Sequence, residues 1–385
     1  MENKNEWKKV KLGEIVTITM GQSPKSEFYN LVGEGVPFLQ GNRTFGKKFP
    51  SFDTYTTKVT KIAKKNDVIM SVRAPIGDLN LATTDICLGR GVCSLRMNNG
   101  NYEFLFYLLK YYSKQLINNG NGTVFTSINR NEIYNLEINI PNNEFIQKKI
   151  SKILSDIDNK IELNNKINNN LEKQVQLIFN NHFFNKDKNY TNYISSNLLE
   201  IADFLNGLAM QKYTPNDFNE KSYPVLKIKE LNQGFTDKNS DRCSNKIKPE
   251  YIINNGDIIF SWSGTLLIKI WCGNKCGLNQ HLFKVTSKKY DKWFYFLWIN
   301  YHLKKFISIA KDKATTMGHI KRADLEKAFV LIPPEKEYES LNKILTPLFE
   351  NIISNKKENN HLVNLKNYLL PKLMNGEIDI ENIEL

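Results

Sequence analysis

The sequence predicts an α+β protein. Two tandem α/β units alternate with two long helices that pair as an antiparallel coiled coil, and the whole forms a pseudo-two-fold internal repeat. Three observations lead there. Slid on itself by about 190 residues, the chain aligns with itself. Matched apolar, β-branched segments recur in order: Asn66-Asp67-Val68-Ile69-Met70-Ser71 with Gly256-Asp257-Ile258-Ile259-Phe260-Ser261, and Leu136-Glu137-Ile138-Asn139-Ile140-Pro141 with Ala328-Phe329-Val330-Leu331-Ile332-Pro333. A heptad seam follows each second strand, and both seams carry polar interruptions at the same register.

In chain order, residues 1–143 form the first globular unit, 144–184 the first helical spacer, 185–334 the second unit and 335–385 the distal helix with its tail. Within each unit an aromatic helical stretch, 102–119 and 291–310, precedes the last strand. Its rings suit a core better than a base-stacking platform. In the spacer, Ile150, Leu154, Ile157, Ile161, Asn164, Asn168, Leu171, Val175 and Ile178 step by fours and threes. They align with Leu341, Leu345, Leu348, Ile352, Asn355, Asn359, Leu362, Lys366 and Leu369, as 341 − 150 = 191. Matched asparagines are the register device of a coiled coil, so the two helices are expected to pair with each other. Asp158-Asn159-Lys160 lies in this helix and reads as a solvated face. The second helix returns antiparallel after the second unit, which puts the units at opposite ends of a spacer of roughly 42 Å. Half-sites one DNA turn apart are separated by about 34–36 Å.

Charge points to the same partner. With 53 Lys and Arg against 40 Asp and Glu, the net charge of the 385 residues is +13, and 41% hydrophobic with 11% aromatic content excludes a disordered chain. A basic folded chain favours a polyanion, nucleic acid before an anionic membrane, and two heads on a rigid spacer suit double-stranded DNA, although AT-rich coding that inflates lysine can produce the same balance. No apolar run approaches the roughly 18 residues of a membrane span. The polar start, Met1 to Lys11, lacks a signal-peptide core, so a cytoplasmic protein without membrane contact is expected. The five cysteines read as reduced thiols. Cys272 and Cys276 have zinc-knuckle spacing without a second pair, so no metal is expected.

These motifs resemble the specificity subunits of type I restriction-modification systems, HsdS, over nearly the whole chain. In the first half the resemblance rests on Leu12-Gly13-Glu14-Ile15, Gly21-Gln22-Ser23-Pro24 and Ser71-Val72-Arg73-Ala74-Pro75-Ile76-Gly77-Asp78. In the second it rests on Gly256 to Thr265, Leu278-Asn279-Gln280-His281, Met317-Gly318-His319-Ile320 and the ending Leu369 to Ile378. One departure is the Glu-Gln step at the start of the family's helices. It is altered to Glu144-Phe145-Ile146-Gln147 and is not evident around Glu335-Lys336-Glu337-Tyr338. The resemblance implies two target-recognition domains, each reading one half of an asymmetric bipartite site. It also implies docking of two methyltransferase subunits, often with two restriction/translocase subunits, and no catalytic residues in this chain. S-adenosylmethionine, ATP and Mg2+ then belong to the partner subunits, and this chain binds no cofactor.

Base edges are read by Arg on guanine and by Asn or Gln on adenine, from loops that also approach phosphate. The candidates in the first half are Gln22, Ser23, Arg43, Arg73, Arg90, Thr123 and Ser127; the alternative for each Arg is an ion pair, and for Gln22 and Ser23 an ordinary turn. In the second half they are Lys227, Lys229, Ser261, Ser263, Thr265, Gln280, His281, Thr315, Thr316, His319 and Lys321. Trp262 reads as a lid on the core, and His281 as part of a strand. Lys47, Lys48, Lys64 and Lys65, like Lys227 and Lys229, are expected to supply field rather than readout. Two other classes stay open: an enzyme carrying its own specificity domains, for which no Asn-Pro-Pro-Tyr step or Walker lysine is present, and a coiled-coil scaffold with non-specific DNA affinity.

Overall fold

A computed structural model describes residues 7–118, 127–215, 217, 220–312 and 318–380. The chain packs as two compact units. One comprises residues 1–159 and 363–385, the other residues 160–362. This division differs from the four sequence segments because each long helix, Glu144–Phe183 and Glu335–Met374, contributes part of its length to both units.

In the first unit, strand Trp7–Lys11 pairs antiparallel with Glu137–Pro141. A one-turn helix, Leu12–Ile15, leads into an antiparallel sheet ordered Val16–Met20, Val92–Met97, Val68–Ser71, Leu79–Leu81. A second, five-stranded sheet contains the parallel pair Val36–Leu39 with Ile86–Leu88. Helix Tyr102–Asn118 buries Phe104, Leu105, Phe106, Tyr107, Leu108 and Leu109 in a core shared by the first sheet, the Glu137–Pro141 strand and the long helices, so these aromatics are core. Ile146, Ile150 and Leu154 of the first long helix join Leu373 and Met374 of the second in that core.

The second unit repeats this plan. Ile194–Asn197 pairs with Phe329–Ile332, and one sheet is ordered Asp203–Asn206, Leu282–Thr286, Asp257–Ser261, Leu267–Trp271. The other contains the parallel pair Ser222–Leu226 with Cys276–Leu278. Helix Lys292–Asp312 packs on the core with Val175, Phe179, Phe183, Leu341, Leu345, Phe349 and Ile352 of the long helices.

Helix pairing is antiparallel in both units. In the second, Asn355 Nδ2 donates to Asn168 Oδ1 at 2.9 Å, and Asn164 Nδ2 donates to Asn359 Oδ1 at 2.9 Å and Glu358 Oε2 at 2.7 Å. Asn164 and Asn168 are 1% and 3% exposed, so this polar layer is held by partners from the other helix, as the matched register predicts. Of the apolar seam, Ile157, Ile161, Leu341 and Ile352 are buried, and Leu171, Ile178, Leu348, Leu362 and Leu369 are half-buried. In the first unit Lys366 takes a seam position as an ion pair with Asp158, whose Oδ2 also accepts from Tyr107 Oη at 2.7 Å. Asp158 is therefore no solvated face. With its side chain 14% exposed, it ties the aromatic helix to both long helices.

Candidate nucleic-acid interface

Each unit ends one face in a cluster of loops, and largely corresponding backbone hydrogen bonds build the two clusters. In the first unit the parallel strand pair carries its chain past the sheet edge. Gly89 N donates to Leu39 O at 2.8 Å and Gly91 N to Gln40 O at 3.0 Å. Gly21 N donates to Val92 O at 3.0 Å, Val72 N to Gly91 O at 2.9 Å and Ile128 N to Val72 O at 2.9 Å. Loops from five distant parts of the sequence thereby meet, bringing Gln22, Ser23, Gln40, Arg73, Arg90 and Ser127 together. The approach requires glycine: a Cβ on Gly21 would sit 2.0 Å from Gly89 O, and one on Gly91 2.4 Å from Gln40 O. Ser23 Oγ donates to Gln40 Oε1 at 2.9 Å and accepts from Arg90 N at 3.1 Å, locking three of the loops.

The second cluster is built alike. Gly207 N donates to Leu282 O at 3.0 Å, Leu208 N to Leu278 O at 2.9 Å, Asn279 N to Leu226 O at 3.2 Å and Ile320 N to Trp262 O at 3.0 Å. A Cβ on Gly207 would lie 2.1 Å from Asn279 O. The isolated bridge Arg73 with Ser127 has its counterpart in Ser263 with His319. Onto this frame the second unit sets other side chains. Ser263 Oγ and His281 Nδ1 are 3.0 Å apart, Trp262 Nε1 donates to Asn206 Oδ1 at 3.1 Å, and the Trp262 ring lies 6.2 and 6.3 Å from those of His319 and His281.

Several sequence expectations change. Ser261 is fully buried and its hydroxyl donates to Ser263 O, so it closes a turn and meets no ligand. His281 lies in the turn between strands Cys276–Leu278 and Leu282–Thr286 rather than in a strand. Trp262 is half-buried and belongs to the loop cluster as much as to the core. Arg43 is paired with Asp53 at 2.7 Å, and its guanidinium holds that carboxyl below the usual range. Lys227 is paired with Asp241, Lys64 with Asp85, and Lys48 lies largely covered beside Glu103. Lys229 is exposed with Asp237 at 4.0 Å, and Lys321 opens a short helix through its backbone N–H to Asp324. Thr265 and Lys47 are exposed. Thr123, Thr315 and Thr316 lie outside the described residues.

Gln40 was not singled out from sequence. Nothing local marks it; only the pairing of Val36–Leu39 with Ile86–Leu88 places it in the cluster, at the position that Lys227 occupies in the second unit. Cys276 is buried, with its thiol pushed up to about 12 by burial, and among the described residues no group of three or more His, Cys, Asp or Glu could hold a metal ion. No described helix is long and apolar enough to cross a membrane. Arg73 and Arg90 are exposed and make no ion pair with a described residue. The clusters thus present guanidinium, amide, hydroxyl and imidazole groups on rigid backbone, the groups that meet base edges and phosphate.

The family model for the type I restriction modification DNA specificity domain matches twice, over residues 4–173 and 190–364. A putative type I restriction enzyme MjaX specificity subunit from Methanocaldococcus jannaschii is 40% identical over 179 residues, 46% of this chain and 42% of that protein. The MjaIX specificity subunit of the same organism is 24% identical over 98% of this chain and 95% of its own length. In fold, the S subunit of a type I restriction-modification system from M. genitalium is similar with a TM-score of 0.62 at 18% identity, covering 97% of each chain. Two matches along one chain, each spanning a head and most of a long helix, mean that this protein belongs to the type I restriction-modification DNA specificity family.

Proposed function

We propose that this chain is the non-catalytic DNA-specificity subunit of a type I restriction-modification complex, with residues 1–143 and 185–334 each reading one half of an asymmetric bipartite duplex site. The helices of 144–184 and 335–385 set the spacer and dock two methyltransferase subunits, with two restriction/translocase subunits joining where restriction is active. S-adenosylmethionine, ATP and Mg2+ are handled by those partners, in the cytoplasm. One observation carries the reading: a closely matched hydrogen-bonded loop frame occurs in both heads and bears different side chains, as two readers of different sequences require. Exposed Arg73 and Arg90, with Gln22 and Ser127, form the first contact face; Gln280, His281 and His319 form the second, with buried Ser263 beneath them against His281.

The test is to express the chain with its methyltransferase partner in an unmethylated host and map N6-methyladenine across the genome, with the partner alone as control. A split asymmetric motif that depends on this chain is expected. An active, soluble partner that yields no motif would reject the reading and favour a scaffold with non-specific DNA affinity.

A further inference from the structure

The backbone bonds that build the loop clusters also match the heads residue by residue. Gly89 N donates to Leu39 O and Val92 N to Gly89 O at 3.2 Å; Asn279 N donates to Leu226 O and Leu282 N to Asn279 O at 3.0 Å. Arg90 and Gln280 are therefore the same position of the same turn. We propose that this turn is the base-reading position of each head, Arg90 taking a guanine in one half-site and Gln280 an adenine in the other. The assignment rests on the specificity reading above and adds to it which residue reads and which base it takes.

Presentation is the first argument. Arg90 stands between two glycines whose Cβ positions are filled by Gln40, its N–H is held by Ser23 Oγ, and its guanidinium is exposed without an ion pair among the described residues. Two other arginines of the first unit are engaged, Arg43 with Asp53 and Arg96 with Asp67 through two bonds of 2.7 and 2.9 Å, which leaves Arg90 and Arg73 of the loop cluster unpaired among the described residues. A fork of donors on a fixed backbone matches the O6 and N7 acceptors of guanine. Gln280 is oriented by a different device. Asn279, 3% exposed, donates from Nδ2 to Gln280 Oε1 at 2.8 Å and accepts from His281 N at 3.2 Å. The Gln280 oxygen keeps a second lone pair for adenine N6, and its Nε2, bonded to no described residue, is available for N7.

The neighbouring matched position does not behave this way. Arg73 corresponds to Ser263, whose hydroxyl is turned to His281, so that position offers a base-edge fork in one head only.

The experiment uses the complex with the methyltransferase partner on duplexes carrying its mapped site, with 7-deazaguanine or 7-deazaadenine placed at one purine at a time to delete N7. One guanine of one half-site and one adenine of the other are expected to be sensitive, each by about tenfold in binding. Arg90→Ala removes the first sensitivity and Gln280→Ala the second, each leaving the other intact. In the methylation map, R90Q should lose the guanine preference at that single position. If R90Q methylates nothing, binding of the R90Q complex to duplexes carrying each base in turn at that position decides: equal binding to all four supports the assignment and an intact guanine requirement overturns it. Deaza sensitivities that persist in the alanine variants, or a split motif whose purine N7 atoms are all dispensable, overturn the assignment while leaving the specificity reading standing. A wild-type complex with no split motif overturns both.

Discussion

The two heads share a frame and differ in what they carry. Around the turn that follows the parallel strand pair, the first head carries Arg73, Arg90, Gln22 and Gln40, whereas the second carries a buried Ser263, Gln280, Leu208 and Lys227 with the ring cluster of Trp262, His281 and His319. The backbone is therefore the constant. It is set by main-chain hydrogen bonds and by glycines at 21 and 207 that no side chain can replace, so the loop tips are free to change chemistry without loss of fold.

The largest effect expected from breaking this comparison is exchange of residues 185–334 for another recognition domain. In the methylation map one half-site changes and the other is kept; a change in both would end the idea of independent heads. Next comes the spacer. Removing one heptad from each long helix shortens the pair by about 10 Å, roughly three base pairs of axial travel. Sequencing should therefore return the same half-sites with a changed gap. Gly21→Ala and Gly207→Ala test the frame itself. Each added Cβ meets backbone oxygen near 2 Å, at 2.0 and 2.1 Å, so the loops of one head must separate. Binding to DNA with that half-site altered should reveal which head was lost, at a stability cost of about 1–3 kcal/mol by thermal melting.

Smaller effects sharpen the helix pairing. Asn168→Ala leaves Asn355 Nδ2 without its acceptor in a nearly closed layer, and denaturant unfolding should register a loss of about 1–3 kcal/mol. The smallest is a pH effect where the helices join the second head. Burial and then Lys188 push His182 below its ordinary value, while hydrogen bonds from Tyr193 and Lys188 hold Glu337 below the carboxylate range. Both groups bind protons less readily when folded. Stability is therefore complete above the ordinary histidine value and falls as pH drops through it, with a second loss below the ordinary glutamate value. Melting temperature against pH should slope that way, and His182→Gln should remove the upper step alone.

Much of the architecture was legible in the residue order because its signals are local. The four-three spacing from Ile150 to Ile178 and from Leu341 to Leu369, and the asparagines at 164, 168, 355 and 359, announce a paired seam through helical period alone. The candidate interface was legible only in part. Arg90 was readable from its flanking glycines and Gln280 from the amides beside it, although that stretch reads as a strand, but their equivalence was not, since it depends on strand pairing across the chain. Arg43 and Arg90 look alike in sequence. Asp53 engages one, and the other stands exposed because its turn is pinned by Ser23 and Gln40 from distant loops. Ser261 and Asp158 read as surface for the same reason, and packing made one a buried turn and the other a tie between helices.

The repeat, the two heads and the helix pair follow from residue order, since periodicity and composition are written in consecutive residues. Which polar side chains share a face and which are engaged in ion pairs depends on the packed fold. Those partners come from loops far apart in the chain, and their meeting is fixed by sheet register and close backbone approach rather than by neighbours in sequence.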